Sequence, residues 1–168
     1  MSRAHVREVD GDVPEDLPEL PLSPHPNYVT PRGLAQLRAR LDRVEQRLAD
    51  LPKDAADVRQ NRAQIERELR WLQARVASAQ VVEGKQRNTG RAAFGAAVTI
   101  IDDNSDVCTY TIVGEDEAEP ETGLISWTSP LARALIGAEV GDVVSWKRPA
   151  GDLEIEIRSI RYDDGGLP

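Results

Sequence analysis

Three carboxylates crowd one short stretch of this chain. Asp50, Asp54 and Asp57 lie on either side of Leu51-Pro52-Lys53. Grouped carboxylates are hard oxygen donors and suit Mg²⁺ with water completing its shell. The same residue type caps helices and complements the positive end of a helix dipole, which needs no ligand. His5 and His25 have no Cys or His at ligand spacing, so neither is read as a metal ligand. Cys108 is the single cysteine, so no internal disulfide can form and a reduced compartment fits. No catalytic residue, metal or cofactor is assigned. A second group of candidates is Ile125, Ser126, Trp127, Ser129, Pro130, Leu131, Ala132 and Leu135. Ser129-Pro130 sets a helix start. Leu131, Ala132 and Leu135 can serve either a core or an apolar contact, and Trp127 can anchor an interface.

The carboxylates need an element to carry them, and the flanking pattern supplies one. Leu34, Leu37, Leu41, Val44, Leu48 and Leu51 step by three and four residues, a heptad seam. Ala55, Val58, Arg62, Ile65, Leu69, Leu72, Val76 and Ala79 continue the alternation beyond Pro52. Folded back antiparallel, Leu51 faces Ala55, Val44 faces Arg62 and Leu34 faces Leu72, each pair with position numbers summing to 106. The turn is therefore centred on Lys53. Thr30 is the expected N-cap of the first arm, Pro31 its first helical residue, and Asp54 the cap of the second. Arg62 is the one polar residue in the seam; its stem can cover Val44 while its head reaches Glu45 or Glu66. Trp71, beside the seam near the base, is expected to pack there.

Charge divides the chain. Residues 1–28 hold six acids and two bases, residues 29–82 seven acids and eleven bases, residues 83–95 one acid and three bases, and residues 96–168 fifteen acids and five bases. A basic hairpin stands on an acidic body. The arginines can simply solvate the outer faces of a coiled coil, or they can steer the arm into a negatively charged environment.

The organisation read from these patterns has five parts. Residues 1–28, with five prolines among acids, are expected to be a disordered extension. Residues 29–82 form the coiled-coil hairpin, 83–95 a linker, 96–163 a small α+β domain and 164–168 a tail. In the α+β domain strands are expected at Val98–Ile101, Val107–Val113 and Leu124–Trp127, a short helix at Leu131–Ile136, and a closing β-hairpin of Val143–Trp146 with Leu153–Ile160. Together they predict a bent antiparallel sheet packed on one helix. No apolar run is long enough to span a membrane, and the first residues lack the apolar core of a signal peptide.

The segments Tyr110-Thr111-Ile112-Val113-Gly114-Glu115-Asp116-Glu117-Ala118, Gly123-Leu124-Ile125-Ser126, Ser129-Pro130-Leu131-Ala132-Arg133-Ala134-Leu135-Ile136-Gly137 and Glu139-Val140-Gly141-Asp142-Val143 closely resemble the C-terminal domain of the bacterial Gre transcription factors, GreA/GreB-like. Ala79-Gln80-Val81-Val82 and Phe94-Gly95-Ala96 resemble the passage from coiled coil to that domain. The resemblance covers roughly residues 78–162, and the hairpin matches in architecture. It implies an FKBP-like C-terminal domain that docks on RNA polymerase at the rim of the secondary channel through the Ile125–Leu135 segment. The coiled coil would enter the channel. In cleavage-competent members, acidic tip residues help hold a second Mg²⁺ and a water while the polymerase hydrolyses backtracked RNA.

The tip departs from the family pattern Asp-x-x-Glu-Asn-x-Glu-Tyr, and the arms are shorter by about two turns each, or about 11 Å of reach. The expectation is therefore a non-cleaving Gre-like homologue, not an enzyme. It would bind polymerase as a cytoplasmic monomer, touch DNA only indirectly and inhibit RNA synthesis by occupying the channel. The alternative is a Gre-type elongation factor that stimulates cleavage, using Asp50, Asp54 or Asp57. An FKBP-like prolyl isomerase is the remaining reading, and the few aromatic residues of the domain speak against it.

Overall fold

Heptad spacing and a proline stop produce the long element. In the computed structural model, which describes residues 17–52, 56–83 and 90–162 without the side chains of Ala56 and Asp57, two helices form the hairpin. Helix α1 spans Pro31–Ala49 and α2 spans Ala56–Ser78. Thr30 caps α1, its Oγ1 accepting the Gly33 N–H at 2.9 Å, and Pro31 fills the first turn, where it loses no helical hydrogen bond. Leu37, Val44, Ile65 and Leu72 are buried, and Leu34, Leu41, Leu48, Leu51, Leu69, Val76 and Ala79 pack against them, so both halves of the heptad seam meet. The flanking pair Arg40–Glu68, bonded at 2.7 Å, lies two places off the register expected for the seam. Arg62 stays half-exposed, 3.9 Å from Glu66. The turn residues Lys53, Asp54 and Ala55, including the expected cap of α2, lie outside the described residues.

The base of the hairpin is tied by a small parallel sheet. Strand β1 (Tyr28–Val29) pairs with β2 (Gln80–Val81), so the chain entering α1 lies beside the chain leaving α2. The expected disorder of residues 1–28 does not hold for residues 17–28. They run along α2: the Pro18 carbonyl accepts from Arg67, Glu19 pairs with Arg70 at 2.7 Å, and the Pro21 carbonyl accepts from the Trp71 indole. Proline removes its own N–H but leaves its carbonyl free, so an extended Pro-rich chain can be held through side-chain donors of a neighbouring helix. Residues 1–16 lie outside the described residues.

The C-terminal domain is α+β, as expected. Strands β3 (Ala96–Asp102), β4 (Val107–Val113), β5 (Leu124–Ser126), β6 (Val143–Trp146) and β7 (Leu153–Tyr162) form one sheet in the order β5-β4-β3-β7-β6. One strand corrects the all-antiparallel expectation: β5 runs parallel to β4. The excursion Gly114–Gly123, containing two 3-10 turns, returns the chain so that it re-enters the sheet in the same direction. A register shift between Thr99 and Ile100 bends β3 against β7. Helix α3 (Pro130–Leu135) packs its Leu131, Ala132 and Leu135 into the core with Val98, Ile100, Ile112, Ile155 and Ile157.

Candidate functional site

The tip comes first. Asp50 is exposed at the C-cap of α1, with φ −80° and ψ −6°, and its Oδ1 accepts from Gln46 Nε2 at 2.8 Å. Dipole complementarity does not explain it. A carboxylate at a helix C-terminus faces the negative end of the dipole; Arg47 in the last turn offsets the mismatch. Asp54 lies outside the described residues. Asp57 falls in the first turn of α2, and its side chain lies outside the described ones. No cluster of three or more His, Cys, Asp or Glu able to hold a metal occurs among the described residues.

The hairpin is joined to the C-terminal domain by a polar clamp that sequence reading missed. Arg75, 3% exposed, bonds Asp116 Oδ2 at 2.6 Å and Asn27 Oδ1 at 2.6 Å. Asn27, also buried, donates through Nδ2 to the Arg75 carbonyl and the Ser78 hydroxyl. Thr30 donates to Glu117 at 2.6 Å, and Ser23 to Glu115 at 2.9 Å. The acidic turn Glu115–Glu117 thus takes three bonds from the hairpin and the strand leading into it. Two glycines allow the approach. A Cβ on Gly114 would meet the Tyr28 carbonyl oxygen at 2.4 Å, and one on Gly33 would meet Glu117 Oε2 at 2.6 Å. Arg75 lies between the seam positions Leu72 and Val76, and no local pattern pairs it with an acid 41 residues away.

The candidate docking segment divides by burial. Ile125, Leu131, Ala132 and Leu135 are core residues and are corrected from contact candidates to scaffold. Burying them holds α3 on the sheet and leaves them no area for a partner. Ser126 bonds the Thr128 hydroxyl at 2.8 Å, and Ser129 caps α3 by accepting the Ala132 N–H at 3.2 Å. Trp127 is half-buried, and its ring is engaged within the molecule. It meets Tyr28 edge-on at 5.1 Å and His25 at 5.8 Å, so it anchors the N-terminal strand rather than standing free. Pro130 is exposed. With Arg133, Ala134, Ser145 and Lys147 it lines a shallow groove of about 330 Å³ between α3 and β6. Those last four residues are additions from the fold. Their common signal is position on the outer side of a capped helix and the strand beside it, visible only once β6 is placed. Lys147 is paired with Asp152, whose hydrogen bond and charge raise its pKa, so it stays cationic well above neutrality.

Comparison with known proteins matches this two-part architecture. Residues 86–162 fit the family model described as "Transcription elongation factor, GreA/GreB, C-term". The transcription elongation factor GreA of Alkalilimnicola ehrlichii is 37% identical over 152 residues, covering 80% of this chain and 96% of that protein. GreA of Methylococcus capsulatus is 40% identical with the same coverage.

This chain belongs to the GreA/GreB family of transcription elongation factors.

Among solved structures, that of GreA factor homolog 1 from Thermus thermophilus is 25% identical. It covers 82% of this chain and 99% of its own, with a TM-score of 0.39. Membership of the family overturns one expectation. The departing tip motif and the shorter arms point to a non-enzyme, yet relatives matched over nearly their whole length carry the name GreA. One short motif and an arm length are weaker evidence than identity spread over both parts of a chain. The Alkalilimnicola comparison runs over 152 positions but takes in 80% of 168 residues, about 134, so about 18 positions have no counterpart here.

Proposed function

We propose that this Gre-family protein is a GreA-type elongation factor that binds bacterial RNA polymerase at the rim of its secondary channel and stimulates hydrolysis of backtracked RNA. The observation that carries this reading is the similarity to GreA proteins over 96% of their length, which takes in hairpin and C-terminal domain together. The clamp at Arg75 and Asp116 supports it, because a tip can act at a distance only if its base is fixed. In this reading the exposed Pro130–Arg133 side of α3, with Lys147, docks on the rim. The basic hairpin enters the channel as a single copy in the cytoplasm, and DNA is touched only through the polymerase. The polymerase supplies the catalytic centre and its metal. Asp50, Asp54 and Asp57 are the tip carboxylates that would hold a water or a metal there. As that water's oxygen bonds the scissile phosphorus, the bond to the RNA 3′-oxygen breaks, the water gives up a proton to a carboxylate or to solvent, and the leaving 3′-oxygen takes one up. A hairpin shorter by about two turns per arm would absorb most of the unmatched positions and set the tip back by about 11 Å, so docking must bring it closer than in longer relatives.

The test is transcript cleavage on stalled, backtracked complexes assembled with purified polymerase. Wild type should shorten the RNA, and the combined Asp50→Ala, Asp54→Ala and Asp57→Ala variant, still folded and bound, should not. RNA synthesis that slows with protein concentration while no RNA is shortened would overturn the cleavage reading.

A further inference from the structure

One groove on the hairpin has no role in the clamp or in docking. It lies between α1 and α2 beside the N-terminal strand, has a volume of about 350 Å³, and is lined by Leu20, Arg40, Arg47, Gln64, Arg67 and Glu68 among others. Arg40 and Arg47 share the single carboxylate Glu68. Arg67 gives one N–H to the Pro18 carbonyl, while its Nε is buried without a hydrogen-bond partner among the described residues. Arg40 and Arg47 thus share one carboxylate, and among the described residues Arg67 has only the nearby charge of Glu19, itself bonded to Arg70; guanidinium groups outnumber carboxylates around the groove, which is costly unless something neutralises them.

The N-terminal segment below the groove shows what that is. Going backward along the chain, Tyr28 pairs with Gln80, Asn27 bonds Ser78 and Arg75, Pro21 meets Trp71, Glu19 meets Arg70 and Pro18 meets Arg67. The chain climbs α2 toward the tip and reaches the groove at Leu20 and Pro18. Immediately upstream stand Glu8, Asp10, Asp12, Glu15 and Asp16, with no basic residue among positions 8–16. Nine extended residues reach about 30 Å, whereas α2 from Arg67 to its start at Ala56 rises only about 16 Å. Reach, direction and charge all match.

We propose that the acidic segment Glu8–Asp16 of the same chain occupies this arginine-lined groove. Its carboxylates neutralise the excess charge of Arg40, Arg47 and Arg67. The hairpin then presents less positive charge than its own residues imply.

The experiment uses the full chain with Cys108→Ser and Val13→Cys, a nitroxide attached at position 13, and backbone amides observed by NMR. Broadening should concentrate on Arg47, Gln64 and Glu68, fade in high salt, and vanish when Glu8, Asp10, Asp12, Glu15 and Asp16 are replaced by Gln or Asn. Broadening spread evenly over the molecule, or unchanged by that neutralisation, would overturn the proposal. So would broadening that appears on an isotope-labelled chain without nitroxide mixed with the nitroxide-bearing chain, because the occupant would then be a second copy. None of these readouts involves polymerase, so they stand or fall apart from the elongation-factor reading.

Discussion

At the scale of single residues, Arg75 and Asp116 matter most. Their bond is short, and the guanidinium is almost wholly removed from water. Removing one partner leaves a buried charge uncompensated, which costs about 3–5 kcal/mol, far more than an exposed pair is worth. Asp116→Ala should therefore lower unfolding free energy by about that amount in denaturant titration. Glu68→Ala, which touches the exposed Arg40 and Arg47, should change it by under about 1 kcal/mol. Equal effects at the two sites would show that the clamp is not structural. Gly114 offers a second check. Alanine there needs space occupied by the Tyr28 backbone, and overpacking of this kind costs about 1–3 kcal/mol; the thermal midpoint should fall accordingly.

At the scale of elements, α3 is short and lies on the surface of the core, so its start depends on Ser129. Loss of this cap by Ser129→Ala should cost about 0.5–2 kcal/mol, seen as a lower denaturant midpoint. Arg133→Ala, on the exposed side of α3, should leave stability within about 0.5 kcal/mol yet weaken binding of purified polymerase in a titration at moderate salt. If Arg133→Ala binds as wild type does, the outer side of α3 is not the docking surface. The hairpin responds differently. Leu72 is fully buried in the seam, and Leu72→Ala should cost about 2–5 kcal/mol, whereas Asp50→Asn, exposed at the C-cap, should be neutral or slightly stabilising because it removes a charge opposed by the dipole.

At the scale of the whole molecule, the basic hairpin and the acidic C-terminal domain are held as one lever. Docking energy gathered by the domain positions a tip far away only while the clamp resists rotation. Asp116→Ala should consequently reduce transcript cleavage by more than it reduces polymerase binding. A parallel loss of both would instead mean that the clamp acts through docking alone. Ionic strength should act on association, since exposed charges are screened beyond about 8–10 Å at physiological salt.

Sequence by itself determined the periodic parts. Heptad spacing, Pro52 and the Thr30 cap specify a hairpin because each signal is local and all agree. Alternation likewise specified β4 and β6 to the residue. Tertiary structure alone decided the rest. Whether Leu131 and Leu135 face a core or a partner depends on the sheet beneath them, which their spacing does not contain. The parallel entry of β5 depends on how far the Gly114–Gly123 excursion turns. The segment from Leu17 to Asn27 reads as disordered because Pro and acidic residues cannot bury a core of their own. It is ordered by donors from Arg67, Arg70 and Trp71, about 50 residues away. Trp127 and Arg75 find their partners by the same long-range closure, which no window of neighbouring residues can reveal.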